Sequence, residues 1–179
     1  MNLPNKLTIA RMAMVPLFMV ALLINTPESR VVSAVIFALA SLTDMLDGQI
    51  ARKYNMITNF GKLMDPLADK VLTAAAMICL VELGDLAAWI AVVIIFREYL
   101  ITGLRSVAAN DNIVVAANIW GKVKTVCQMI ALFLLMLKPQ VVALCGVDLG
   151  LWFMYVAVAL TIYSGADYVL KLNKQITWN

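Results

Sequence analysis

The sequence predicts an all-α integral membrane protein: a bundle of six transmembrane helices behind a short N-terminal interfacial segment, forming one domain over residues 1–179. Three observations predict it. Apolar residues make up 63% of the chain and charged residues 14%, with a mean hydropathy of +0.89, whereas a soluble domain carries about a quarter charged residues. The apolar residues recur along the whole chain as runs long enough to cross a bilayer. Between the second and third runs lies a polar stretch, Asp44 to Asp69, DMLDGQIARKYNMITNFGKLMDPLAD, holding four aspartates at 44, 47, 65 and 69.

Taken in order, NLPNKL (residues 2–7) precedes the first span, with Pro4 and Asn5 as its start and Asn5 as cap. The span runs from Thr8 to Ile24. Arg11, one turn inside, either snorkels to the headgroups or binds an anionic substrate. Asn25–Arg30 is a turn, with Pro27 ending the first helix. The second span runs from Val31 to Arg52 and carries Asp44, Asp47 and Gly48 in its second half. Residues three apart share a helical face, and Gly48 and Ala51 keep that face narrow. Tyr54–Phe60 is a polar connection. The third span runs from Gly61 to Leu83, with Asp65 and Asp69 four apart. Pro66 either starts the regular helix with Asp65 as cap or kinks it. At about 1.5 Å per residue, Asp47 lies roughly 7 Å before Arg52 and Asp65 roughly 6 Å after Gly61. The two halves of the cluster therefore reach similar depth on antiparallel helices.

The fourth span, Leu86 to Arg105, places Glu98, Thr102 and Arg105 on one polar stripe that does not belong against lipid. Ala108–Asn118 connects to the fifth span, Ile119 to Leu137, which opens with Gly121, Lys122, Lys124 and Thr125. The sixth span runs from Leu149 to Leu170; Asp167 and Lys171 near its end are spaced to pair. Six spans put both termini on one side. Of the 14 basic residues, Arg30 and Lys138 fall at one face and the rest at the other, so the rich face, with the aspartates, is cytoplasmic.

Histidine is absent, which excludes His-ligated zinc and Ser-His-Asp triads. Cys79, Cys127 and Cys145 show no CxxC spacing and read as buried small hydrophobes. A cleavable signal peptide is not expected, because the first run lacks a small-x-small site. Several carboxylates near hydrocarbon need cations. Hard oxygen donors suit Mg²⁺ or Mn²⁺, and two such ions stabilise the attacking and leaving oxygens of a phosphoryl displacement. Spacing alone therefore points to metal-assisted phosphoryl chemistry at the cytoplasmic membrane surface.

Asp44-x2-Asp47-Gly48-x2-Ala51-Arg52-x8-Gly61-x3-Asp65-x3-Asp69 resembles the full signature of the CDP-alcohol phosphotransferases, and the six-span length suits that family across nearly the whole chain. The resemblance implies transfer of a phosphatidyl or similar group from a CDP-linked donor to an alcohol, with release of CMP. It implies Asp44, Asp47, Asp65 and Asp69 as ligands of two metal ions, Asp69 also as general base. Asp47, Gly48, Ala51, Arg52 and Gly61 are implied as the CDP site. NLPNKLTIAR, REYLITGLR (Arg97–Arg105) and GKVKT (Gly121–Thr125) resemble the branch that uses sn-glycerol 3-phosphate, with CDP-diacylglycerol as donor. Arg11, Arg97, Arg105, Lys122 and Lys124 are then the candidates for the acceptor phosphate. The resemblance also implies a homodimer in the bilayer, and no nucleic-acid partner. Inositol phosphate, serine or phosphatidylglycerol as acceptor keeps the chemistry; serine needs fewer cations. A transporter is a different class, but the inverted repeats and paired broken helices that mark one are not evident. A non-catalytic scaffold would tolerate Asp47→Asn.

Overall fold

A computed structural model describes the backbone of residues 3–53, 59–110 and 119–173, and the side chains of 8–43, 67–108 and 119–173. The described residues form helices without strands: α1 (Leu3–Leu23), α2 (Pro27–Lys53), α3 (Asn59–Glu82), α4 (Ala88–Asn110), α5 (Ile119–Met136), the short α6 (Lys138–Cys145) and α7 (Leu149–Asn173). The fifth and sixth spans were anticipated as α5 and α7 to within a few residues at their ends. Both are long and apolar enough to cross a bilayer, and α1 holds a shorter apolar run, Thr8–Leu23.

Several boundaries differ from the sequence expectation. The N-terminal segment is not separate: α1 begins at Leu3, so Asn5 lies inside the helix and does not cap it. Pro27 opens α2 instead of closing α1. A proline at the first helical position has no N–H to lose. Thr26 and Ser29 cap that start reciprocally: Ser29 N–H donates to Thr26 Oγ1 at 3.2 Å and Thr26 N–H to Ser29 Oγ at 2.9 Å. Asn25 ends α1 in the left-handed region at φ 60°. Helix α3 begins at Asn59, so Pro66 lies within it and Asp65 is not its cap. The added helix α6 buries none of its residues, and Cys145 at its end is exposed, against the expectation of burial. Cys127 is half-buried; Cys79 is buried.

The broadest helix pairings are α1 with α2 and α5 with α7. Helix α3 packs on α1, α4 and α5, and α4 joins α7. Phe18, Phe37, Leu72, Leu80, Ile94, Leu132 and Met154 meet in one core, where the Phe18 and Phe37 rings lie 6.0 Å apart. Leu72, Ala76 and Leu80, spaced by one turn, are all buried. At Gly150 a Cβ would stand 2.8 Å from the Leu135 backbone nitrogen, so glycine there sets the α5–α7 approach. The outward faces stay apolar: Leu17, Val20, Val35, Leu39, Val92, Phe96 and Ile162 are exposed.

One end of the bundle holds the start of α1 and the end of α2, and is called the motif end below. At the far end, charges close the structure. Asp85, in the α3–α4 turn, accepts from Arg30 of α2 and from Lys138 Nζ at 2.9 Å, and Lys138 also lies 3.4 Å from Asp148. Arg30 Nε donates to Asn25 Oδ1 at 2.8 Å, and Asp148 Oδ1 caps α7 through Leu151 N–H at 3.0 Å. The two basic residues assigned to this face from sequence thus meet in one network.

Candidate functional site

Helix α2 carries positions 44 and 47, and helix α3 carries positions 65 and 69. Asp47 lies six residues before the end of α2 and Asp65 six residues after the start of α3, about 9 Å in each case. The side chains of Asp44, Asp47, Gly48, Ala51, Arg52, Gly61 and Asp65 lie outside the described residues. Among the described residues, no three His, Cys, Asp or Glu side chains converge on a metal position.

Asp69 is described. It is half-buried on α3, and its charge acts on Lys124 of α5. A carboxylate held inside the bundle, beside a cation and on the same turn pattern as Asp65, is the donor type that a hard divalent cation takes. The next residue, Lys70, turns toward α4: its ammonium donates to Thr102 Oγ1 and lies 5.7 Å from the centre of the Tyr99 ring. Thr73 Oγ1 donates to the Asp69 carbonyl at 3.1 Å, which secures that turn.

Beside these residues, α4, α5 and α7 enclose a cavity of about 410 Å³. Arg97, Arg105, Lys122 and Lys171 supply its positive charge, Glu98 and Asp167 its negative charge. Three of the five basic residues singled out from sequence therefore share one wall. Arg105 lies over the Tyr168 ring, 5.4 Å from its centre. Arg97 Nη2 donates to Ser164 Oγ at 2.9 Å. Asp167 pairs with Lys171 at 2.7 Å, as their spacing predicted.

The other two basic residues sit elsewhere. Lys124 is 1% exposed and does not line the cavity; its ammonium donates to Glu98. The reading of Lys124 as a direct phosphate ligand is corrected by that burial. Arg11 is 0% exposed on α1, so it does not snorkel, and α1 packs on α2 and α3. Sequence reasoning passed over the contribution of α7. Ser164, Asp167, Tyr168 and Lys171 fall at i, i+3, i+4 and i+7, a polar stripe at the end of an apolar span, which is the signal that marks them.

A second, wholly apolar groove of about 360 Å³ lies between α2 and α5, lined by Phe37, Ser41, Leu42, Met129, Ile130 and Phe133 among others.

The sequence profile of the family described as CDP-alcohol phosphatidyltransferase matches residues 1–163. A Bacillus subtilis (strain 168) protein named CDP-diacylglycerol–glycerol-3-phosphate 3-phosphatidyltransferase is 45% identical, over 95% of this chain and 94% of its own. A protein of the same name from Rickettsia bellii (strain RML369-C) is 42% identical over 97% and 96%. A Mycobacterium tuberculosis (strain H37Rv) protein named probable phosphatidylglycerophosphate synthase is 41% identical over 98% and 83%.

Proposed function

The chain belongs to the CDP-alcohol phosphatidyltransferase family, and from that premise we propose that it transfers the phosphatidyl group of CDP-diacylglycerol to sn-glycerol 3-phosphate, giving phosphatidylglycerol phosphate and CMP. The observation that carries the choice of acceptor is the cavity on which Arg97, Arg105, Lys122 and Lys171 converge. A phosphate dianion needs several cations and is best read by guanidinium forks. A neutral or zwitterionic acceptor such as serine has no use for so many.

The family is generally dependent on divalent metal ions. Asp44, Asp47, Asp65 and Asp69 would hold two Mg²⁺ or Mn²⁺ ions, which when bound neutralise the donor's diphosphate and the charge that develops on the attacking and leaving oxygens. Asp69, whose charge acts on Lys124, takes the proton from the acceptor hydroxyl. Asp47, Gly48, Ala51, Arg52 and Gly61 hold the CDP group. The apolar groove between α2 and α5 suits an acyl chain of the donor, which stays in lipid while its head group reaches the motif end. In this reading α1, α2, α3, α4, α5 and α7 are the six spans, the motif end and both termini face the cytoplasm, and the protein works as a homodimer.

The test is CMP release by purified protein in mixed micelles containing CDP-diacylglycerol. Release is expected to require both glycerol 3-phosphate and Mg²⁺ or Mn²⁺, to need no gradient, and to vanish in Asp47→Asn with the fold intact. Equal release with serine, inositol phosphate or phosphatidylglycerol in place of glycerol 3-phosphate would overturn the choice of acceptor.

A further inference from the structure

One carboxylate ties a cation of the α4–α5–α7 cavity, Arg97, to the buried Lys124 behind it. Glu98 Oε1, on the cavity wall, accepts from the buried Lys124 ammonium and lies 3.6 Å from Arg97 Nη1. Arg97 is held from two further sides. Its Nη2 is on Ser164, and its stem crosses Gly165, where a Cβ would stand 3.2 Å from Arg97 Cγ and 3.5 Å from Nε. Glu98 keeps about a quarter of its side-chain surface open, at 26%, while Lys124 keeps 2%.

Like charges brought this close repel, and a buried ammonium stays ionised only beside a counter-charge. Without Glu98, Arg97 and Lys124 would move apart, and Arg97 would have to be ordered again when an anion arrives. A group that fixes them beforehand removes that ordering cost from binding. The arrangement also explains why a carboxylate is tolerated in a cavity suited to an anion: Glu98 spends its charge on the two cations behind and beside it.

Resting on the reading that this cavity takes the acceptor's phosphate, we propose that Glu98, itself anchored by the buried Lys124, is a positioning residue for acceptor binding that sets Arg97, and that Gly165 is the gap in α7 that lets Arg97 lie in its set place. Glu98 contacts the cations, not the acceptor. Gly165→Ala keeps every charge and displaces Arg97 alone, which makes it the variant that separates placement from charge.

The experiment measures kcat and both KM values, for glycerol 3-phosphate and for CDP-diacylglycerol, on full-length Glu98→Gln, Glu98→Asp and Gly165→Ala, with thermal unfolding alongside. Expected are an acceptor KM raised about tenfold in Glu98→Gln and about threefold in Gly165→Ala, with the donor KM within about twofold. Glu98→Asp falls between wild type and Glu98→Gln. Protection of the folded protein by glycerol 3-phosphate against heating should weaken in the same order. Parallel rises in both KM values, loss of thermal stability with an unchanged acceptor KM, or a Gly165→Ala enzyme with wild-type kinetics would each overturn the proposal. A wild-type protein that ignores glycerol 3-phosphate instead overturns the reading of the acceptor, which the wild-type control reports separately.

Discussion

Lys124 and Arg105 show how the same residue type takes different work by position. Lys124 starts α5 and is buried against Glu98, whereas Arg105 lies on the cavity wall over Tyr168. Arg105→Ala is therefore expected to raise the acceptor KM by about ten- to a hundredfold, the worth of one charge-assisted contact, with kcat little changed. Initial rates against glycerol 3-phosphate check this. Asp69→Asn keeps the shape of the side chain and removes its charge; kcat should fall about 10²–10⁴-fold, measured as CMP release at saturating substrates. The spacing of the four aspartates was legible because helical period fixes which residues share a face. That Lys124 does not line the cavity was not legible: burial is decided by what three separate helices bring to one place.

Among the elements, the far-end network is the clearest structural device. Asp85 sits in a turn closed by Gly84 at φ 75° and joins Arg30 of α2 with Lys138 of α6, both long in sequence from it. Removing one partner of a buried pair strands the other, so Asp85→Asn should destabilise the protein by about 3 kcal/mol, read from unfolding in detergent, while acceptor and donor KM stay unchanged. Lys138 lies outside the spans, and its ammonium is held above the ordinary lysine range chiefly by the hydrogen bond to Asp85. A raised folded value means that this contribution is complete below the pH where an unfolded lysine titrates, about 10.4, and is lost as pH rises through the folded value. Lys138→Met should flatten that alkaline loss of stability. Helices α5 and α7 were read from apolar runs to within a few residues, whereas α6 was not anticipated. Pro27 was misread because proline both ends and begins helices, and the Thr26–Ser29 cap decides between the two.

For the molecule as a whole, orientation has a direct probe. Cys145 is exposed beside the far-end network, Cys79 is buried, and Cys127 lies within α5. If the motif end faces the cytoplasm, a membrane-impermeant maleimide should label Cys145 on intact cells stripped of their outer barriers and leave it unlabelled in sealed inside-out vesicles; the reverse pattern would turn the topology over. Two aromatic pairs lie toward the ends of the bundle: Trp89 and Tyr155 meet 6.5 Å apart toward the far end, Trp120 and Tyr163 5.9 Å apart toward the motif end.

By itself the sequence determined the helical class and the family, because periodicity and motif spacing are local properties of the chain. Only the tertiary structure decided that Arg97, Arg105 and Lys122 share a cavity with α7, that Lys124 is sealed behind Glu98, and that Arg30, Asp85, Lys138 and Asp148 form one clasp. Those partners lie tens of residues apart, and nothing in a one-dimensional pattern states which faces of distant helices will meet; packing alone chooses.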